Sequence, residues 1–102
     1  MSKDSPLKVK LCEKRGDTSV FISAEITDEG QLLLSGQDVG KAPQEYWGDS
    51  DYEYWLVVAP QDKDRVLLAL LEKQYSGNTR AISELMGLLK AEGIPYKFDS
   101  YA

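Results

Sequence analysis

The sequence predicts an α+β fold in which an antiparallel sheet of about five strands carries two helices on one face, in the order ββββααβ. Three observations lead there. Much of residues 7 to 58 alternates apolar and polar side chains with a period of two, residues 62 to 92 repeat them at helical spacing, and residues 94 to 101 return to alternation.

Leu7-Lys8-Val9-Lys10-Leu11-Cys12-Glu13 is written as a strand with one buried face, so Leu7, Val9 and Leu11 are expected to point into the core. Lys14-Arg15-Gly16-Asp17 is the turn, and Thr18 to Ile26 a second strand. Its Val20, Ile22, Ala24 and Ile26 share one face, with Ser19, Phe21, Ser23 and Glu25 on the other. Thr27-Asp28-Glu29-Gly30 reads as a hairpin connection into a third strand, Gln31 to Gln37, whose consecutive leucines point to cover on both faces. Asp38 to Pro43 reads as a loop, with Gly40 and Pro43 as breakers, and Tyr52 to Val58 as the fourth strand.

The period then changes. Asp62 is a candidate N-cap, Asp64 lies in the first turn, and Val66, Leu67, Leu70 and Leu71 recur at helical spacing, so this helix is expected to be deeply buried. Gly77 suits its left-handed stop, and Asn78 or Thr79 can cap the next helix. That helix has Ala81, Ile82, Leu85, Met86, Leu88 and Leu89 on one side, and Gly87 in its interior implies close packing against another backbone. Gly93 and Pro95 end it before a last short strand over 94 to 101.

At 102 residues the chain has the length of one domain, read as a flexible N-terminus over 1–6 and a single α+β domain over 7–102. Hydrophobic and charged fractions of 42% and 28% are those of a globular protein. No apolar run is long enough to span a bilayer, no signal-peptide core is evident and the single Cys12 precludes an internal disulfide, so a cytoplasmic protein without membrane contact is expected.

The net charge of −5 is concentrated between Asp38 and Asp64, where seven acids face Lys41 and Lys63. A phosphate backbone would be repelled there, so no nucleic-acid partner is expected.

Within that region Tyr46-Trp47-Gly48-Asp49-Ser50-Asp51-Tyr52-Glu53-Tyr54-Trp55 contains both tryptophans and three of the six tyrosines, with no basic residue. Period two divides it: Tyr52, Tyr54, Leu56 and Val58 share one strand face, while Asp51, Glu53, Trp55 and Val57 share the other. The candidate partner-binding residues are Glu45, Trp47, Asp49, Asp51, Glu53 and Trp55, large rigid anchors with acidic surroundings suited to a basic protein partner. An immunity or inhibitor protein masking a basic toxin is one form of such binding. Trp47 is the favoured anchor, because a loop aromatic has less structural reason to exist.

Catalytic chemistry has little to start from. Histidine is absent, Cys12 has no base to activate it and reads as a small, partly buried hydrophobe, and no glycine-rich phosphate loop occurs. Asp49, Asp51 and Glu53 fall at positions 1, 3 and 5 of a calcium loop, but Tyr54 and Pro60 stand where its glycine and bidentate acid belong, so an EF-hand is excluded. No catalytic residue, cofactor or metal is therefore expected, and the chain reads as a non-enzymatic binding module. Two alternatives stay open: a small-ligand protein or enzyme using a carboxylate pair near Tyr52 or Tyr54, and a homodimer formed through an edge strand, the first or the last.

Three phrases, Tyr46 to Trp55, Leu67-Leu68-Ala69-Leu70-Leu71-Glu72 and Gly93-Ile94-Pro95-Tyr96, resemble those of a group of small bacterial proteins of about this length with no established activity. The likeness covers roughly the C-terminal two-thirds. It implies a bacterial, cytoplasmic origin and transfers no functional residue.

Overall fold

Strand β1 (Lys8–Lys14) pairs with β2 (Thr18–Ile26), β2 with β3 (Leu32–Gly40), and β3 with β4 (Asp51–Val58), all antiparallel, giving a four-stranded sheet in the order β1-β2-β3-β4. Three helices accompany it: α1 (Lys41–Trp47), α2 (Lys63–Tyr75) and α3 (Ala81–Ala91). The computed structural model describes residues 7–101, so the expected flexible end over 1–6 lies outside the described residues. The chain divides into two compact units, Met1–Val66 and Leu67–Ala102, with the break inside α2. Among the described residues, no helix is long and apolar enough to cross a membrane.

The α+β class with an antiparallel sheet is as expected, but the described residues form four strands and three helices, in place of five and two. The missing strand is the tail. Residues 94–101 form no ladder, and Pro95 has no N–H to contribute to one.

The sheet's register follows from its turns. Between β2 and β3 the Thr27 N–H donates to the Gln31 carbonyl at 2.9 Å, the Gly30 N–H donates back to the Thr27 carbonyl at 2.8 Å, and the Gln31 N–H donates to the Thr27 hydroxyl at 3.1 Å. Gly30 takes φ 83, the left-handed conformation that this turn requires. Pairing then runs without interruption from Ile26↔Leu32 to Thr18↔Gly40. Directly opposed residues share a face, so Ile22, Gly36 and Tyr54 line up on one side, and Ser23, Ser35 and Trp55 on the other. The first side is apolar, continuing through Ala24, Leu34 and Leu56 and through Ile26, Leu32 and Val58.

Strand β1 departs from simple alternation. Its register shifts between Lys10 and Cys12, so Leu11 is the extra residue of a bulge and Cys12 joins Val9 on the apolar side, opposite Ile22. The expected alignment of Leu7, Val9 and Leu11 in a core is thus corrected, and all three are more than half exposed on an edge strand. Cys12 is a half-buried free thiol.

The loop expected over 38–43 is instead the end of β3 followed by α1. Gly40, at φ 126, comes so close to the β1–β2 turn that a Cβ would stand 2.2 Å from the Asp17 carbonyl oxygen. That carbonyl accepts the Lys41 N–H at 3.0 Å, and the Thr18 hydroxyl accepts the Ala42 N–H at 2.9 Å. The β1–β2 turn and the first residue of β2 thereby satisfy the first N–H groups of α1. Pro43, read as a breaker, sits in the first turn, where a missing N–H costs nothing.

Beyond β4, a 3-10 turn (Pro60–Asp62) leads into α2, so Asp62 precedes the helix without capping it. The N-cap of α3 is Arg80 and carries no side-chain cap, in place of the expected Asn78 or Thr79; Asn78 instead closes the turn before it, its side-chain oxygen accepting the Arg80 N–H at 2.8 Å and its amide donating to Glu84 at 2.9 Å. A Schellman closure ends α3, with the Gly93 and Ile94 N–H groups donating to the Lys90 and Leu89 carbonyls at 3.2 and 2.9 Å.

Deep burial of the helices is not observed. Leu67, Leu68 and Leu70 are each more than half exposed, and among the described residues only Gly36 and Pro43 are buried. Nor does Gly87 meet another backbone, since nothing lies within 4 Å of the Cβ position it lacks. Its flexibility is therefore uncompensated by packing. Gly87→Ala is expected to raise stability by roughly 0.5–1 kcal/mol, read as an upward shift in the denaturation midpoint without a change in slope.

Gly36 behaves oppositely. The ring of Tyr54 lies over it, and a Cβ there would stand 2.0 Å from the Tyr54 Cε2. Gly36→Ala must push the ring aside, and is expected to cost about 1–3 kcal/mol in chemical denaturation.

Candidate functional site

Trp47 is the last residue of α1, and Gly48 terminates that helix in the left-handed conformation at φ 73, its N–H donating to the Gln44 carbonyl at 3.1 Å. The sharp reversal returns the chain to the sheet, where the Gly40 N–H holds the Ser50 carbonyl at 2.7 Å. Trp47 thereby reaches Tyr52: the rings stack with centroids 5.1 Å apart and planes inclined by 13°. Tyr54 continues the row, 5.4 Å from Tyr52 and tilted by 32°. Tyr52 and Tyr54 alternate with Glu53, so this aromatic row belongs to the apolar side of the sheet.

The row ends on a polar contact. The Tyr54 hydroxyl donates to the Asp38 carboxylate at 2.8 Å, spanning adjacent strands. That hydrogen bond, then partial burial and the Asp38 charge, push the Tyr54 hydroxyl above its ordinary value of 10.0.

The six residues singled out in the sequence do not form one patch. Asp51, Glu53 and Trp55 lie on the opposite side of β4 from the aromatic row. The Asp49 carboxylate accepts the Asp51 N–H at 3.2 Å, closing the turn, and the Asp51 carboxylate accepts the Gln37 side-chain amide at 2.9 Å. Glu45 is exposed on α1. Trp47 and Trp55 are 62% and 61% exposed, so both are open to solvent on different sides of one sheet. Trp47 belongs to a helix, and its ring has a structural partner that the loop reading did not foresee.

The polar side holds a feature that the sequence reading missed. A groove of about 420 Å³ crosses all four strands between Lys8 and Lys10 of β1 and Glu53 and Trp55 of β4. Its middle is low because Ser23 and Ser35 occupy the centre of the row Lys10, Ser23, Ser35, Trp55. The signal was present in principle: the Thr27–Gly30 turn sets serine opposite serine, and only an aligned pair of strands reveals the depression.

Charges around the groove are unevenly matched. Glu13 is held by Lys10 at 2.5 Å and by Arg15 at 2.9 Å, and these hydrogen bonds, Lys10 first, keep its carboxyl below the ordinary value of 4.5. Lys8 stands 3.9 Å from Glu25, while the Arg15 guanidinium lies 5.2 Å from the centre of the Phe21 ring. The Glu53 carboxylate, by contrast, has no ion pair or hydrogen bond among the described residues. Among the described residues, no group of three or more histidine, cysteine or acidic side chains converges as a metal ion would require.

No protein-family model matches the chain, and no curated protein or solved structure matches it.

The Tyr54–Asp38 contact has a pH signature. A folded-state value raised above the unfolded one contributes stability that is fully present below about pH 10 and is lost as pH rises through the folded value. In spectrophotometric titration, Tyr54→Phe is expected to remove a late-ionising tyrosine, and Asp38→Asn to bring that ionisation to lower pH.

Proposed function

We propose that this protein is a non-enzymatic binding module that engages a basic protein partner through an acidic, aromatic surface, as an immunity or inhibitor protein does. The observation that carries this reading is the stack of Trp47 on Tyr52: a tryptophan 62% exposed nonetheless has a ring partner, beside an acidic turn. Rigid aromatic anchors lose little entropy on binding and dominate interface energies. Tyr46, 80% exposed, adds a second ring to the helix that presents Trp47. Glu45, Asp49, Asp51 and Glu53 are all exposed and would accelerate capture of a basic protein while discriminating against acidic ones.

The groove favours a second reading, a small-ligand protein, because its volume of about 420 Å³ lies within the range of small-molecule sites. Its floor and rim are shallow and half polar, which suits a side chain presented by a protein better than an enclosed metabolite.

The test is recovery of a partner by affinity capture from the source cells, followed by reconstitution from purified components. A basic protein is expected, bound with an affinity that falls as salt rises and weakens at least about tenfold, or ~1.4 kcal/mol, on Trp47→Ala. Reconstituted binding that ignores salt, Trp47→Ala and Glu53→Gln alike would overturn the proposal.

A further inference from the structure

We infer that Glu53 and Trp55, at the β4 end of the groove, form a seat for a guanidinium or ammonium group, most suitably an arginine side chain of the basic partner. This rests on the proposed basic partner and identifies where its anchoring residue goes. The chain itself supplies the precedent. On the same side of the sheet, the Arg15 guanidinium lies 5.2 Å from the centre of the Phe21 ring while its Nε and Nη2 donate to the Glu13 carboxylate at 3.2 and 2.9 Å. An aromatic face and a carboxylate, in register on neighbouring strands, hold a guanidinium in that place.

Glu53 and Trp55 offer the same two groups at the other end of the groove, here on one strand in place of two. They are two residues apart on β4 and project from the same side of the sheet as Phe21 and Glu13. Here no basic side chain of the chain pairs with the carboxylate among the described residues, and Trp55 is 61% exposed. Room for an incoming side chain exists because Ser35, directly opposite Trp55, and Ser23 beyond it are small.

Gln37 adds direction. It lies directly opposite Glu53, and its amide nitrogen donates to Asp51 at 2.9 Å, which leaves the amide oxygen to accept a guanidinium N–H. The alternative, an anion on Lys8 and Lys10, is disfavoured because both lysines already face the acids Glu25 and Glu13.

The probe is the blocked tripeptide acetyl-Gly-Arg-Gly-amide, titrated into the millimolar range at low ionic strength, with its citrulline counterpart as the uncharged isostere. Amide-resolved NMR reads the two indole N–H signals separately. The arginine peptide is expected to shift the Trp55 indole and the Gln37 side-chain amide saturably, with the Trp47 indole unmoved. Glu53→Gln, an exposed change that leaves packing intact, is expected to weaken binding roughly tenfold, and Trp55→Ala to abolish the Gln37 shift in a protein whose remaining spectrum is native. Trp47→Ala should leave the titration unchanged.

Equal shifts from the citrulline peptide, shifts confined to Trp47, or no saturable shift at all would overturn the seat. The wider reading is separable from it. If no basic protein binds while the arginine peptide still shifts Trp55, the partner proposal fails and the seat stands. If a basic protein binds and loses affinity on Trp47→Ala but not on Glu53→Gln, the seat fails and the partner proposal stands.

Discussion

The uninterrupted register between β2 and β3 is the constraint on which the described sheet depends. It is imposed at one end, where Thr27 and Gln31 exchange hydrogen bonds around Gly30, and it carries to the other, where Thr18 meets Gly40. Each structural feature of consequence is one rung of that ladder. Ile22 opposite Gly36 leaves space for the Tyr54 ring, Ser23 opposite Ser35 makes the floor of the groove, and Thr18 opposite Gly40 places a hydroxyl where α1 needs an acceptor. A slip of one residue would move every side chain to the other face and abolish all three together.

Much of this was legible in the sequence, and for a physical reason. Alternation in β2 and β4 reports which side chains share a face, and both sets assigned from period two are those that the pairing brings together. The same reasoning divided the acidic, aromatic stretch at Tyr52, and the sheet separates Tyr52 and Tyr54 from Glu53 and Trp55 accordingly. What periodicity does not contain is an inserted residue. The bulge at Leu11 flips Cys12 to the apolar side, a decision made by pairing with β2 and invisible in β1 alone.

The helix α1 was hidden for a related reason. Gly40 and Pro43 are helix breakers by propensity, yet each occupies a position where its peculiarity is useful: Gly40 at positive φ against the Asp17 carbonyl, Pro43 in a first turn that has N–H groups to spare. The helix's N-terminal acceptors come from Asp17 and Thr18, more than twenty residues earlier in the chain. Such long-range capping leaves no local signature. The tail shows the converse: Tyr96 and Phe98 alternate like strand residues, but alternation without a partner strand produces no ladder.

The energetic scale at the groove limits what it can do alone. An exposed ion pair is worth about 0–1 kcal/mol, and an exposed cation over an aromatic ring about 0.5–1 kcal/mol. Glu53 and Trp55 acting on a single free cation therefore give only weak binding. Affinity of biological use requires that the cation be delivered as part of a larger surface, so that its ordering cost is shared with other contacts. Trp47 offers such a contact, but on the far side of β4 from Trp55, and a flat partner lying on one face would reach only one of the two. A partner that used both would have to wrap the edge of the sheet at β4, where the turn from Gly48 to Ser50 is exposed and acidic. The division of the aromatic stretch into two sides thus turns a question of composition into one of partner shape.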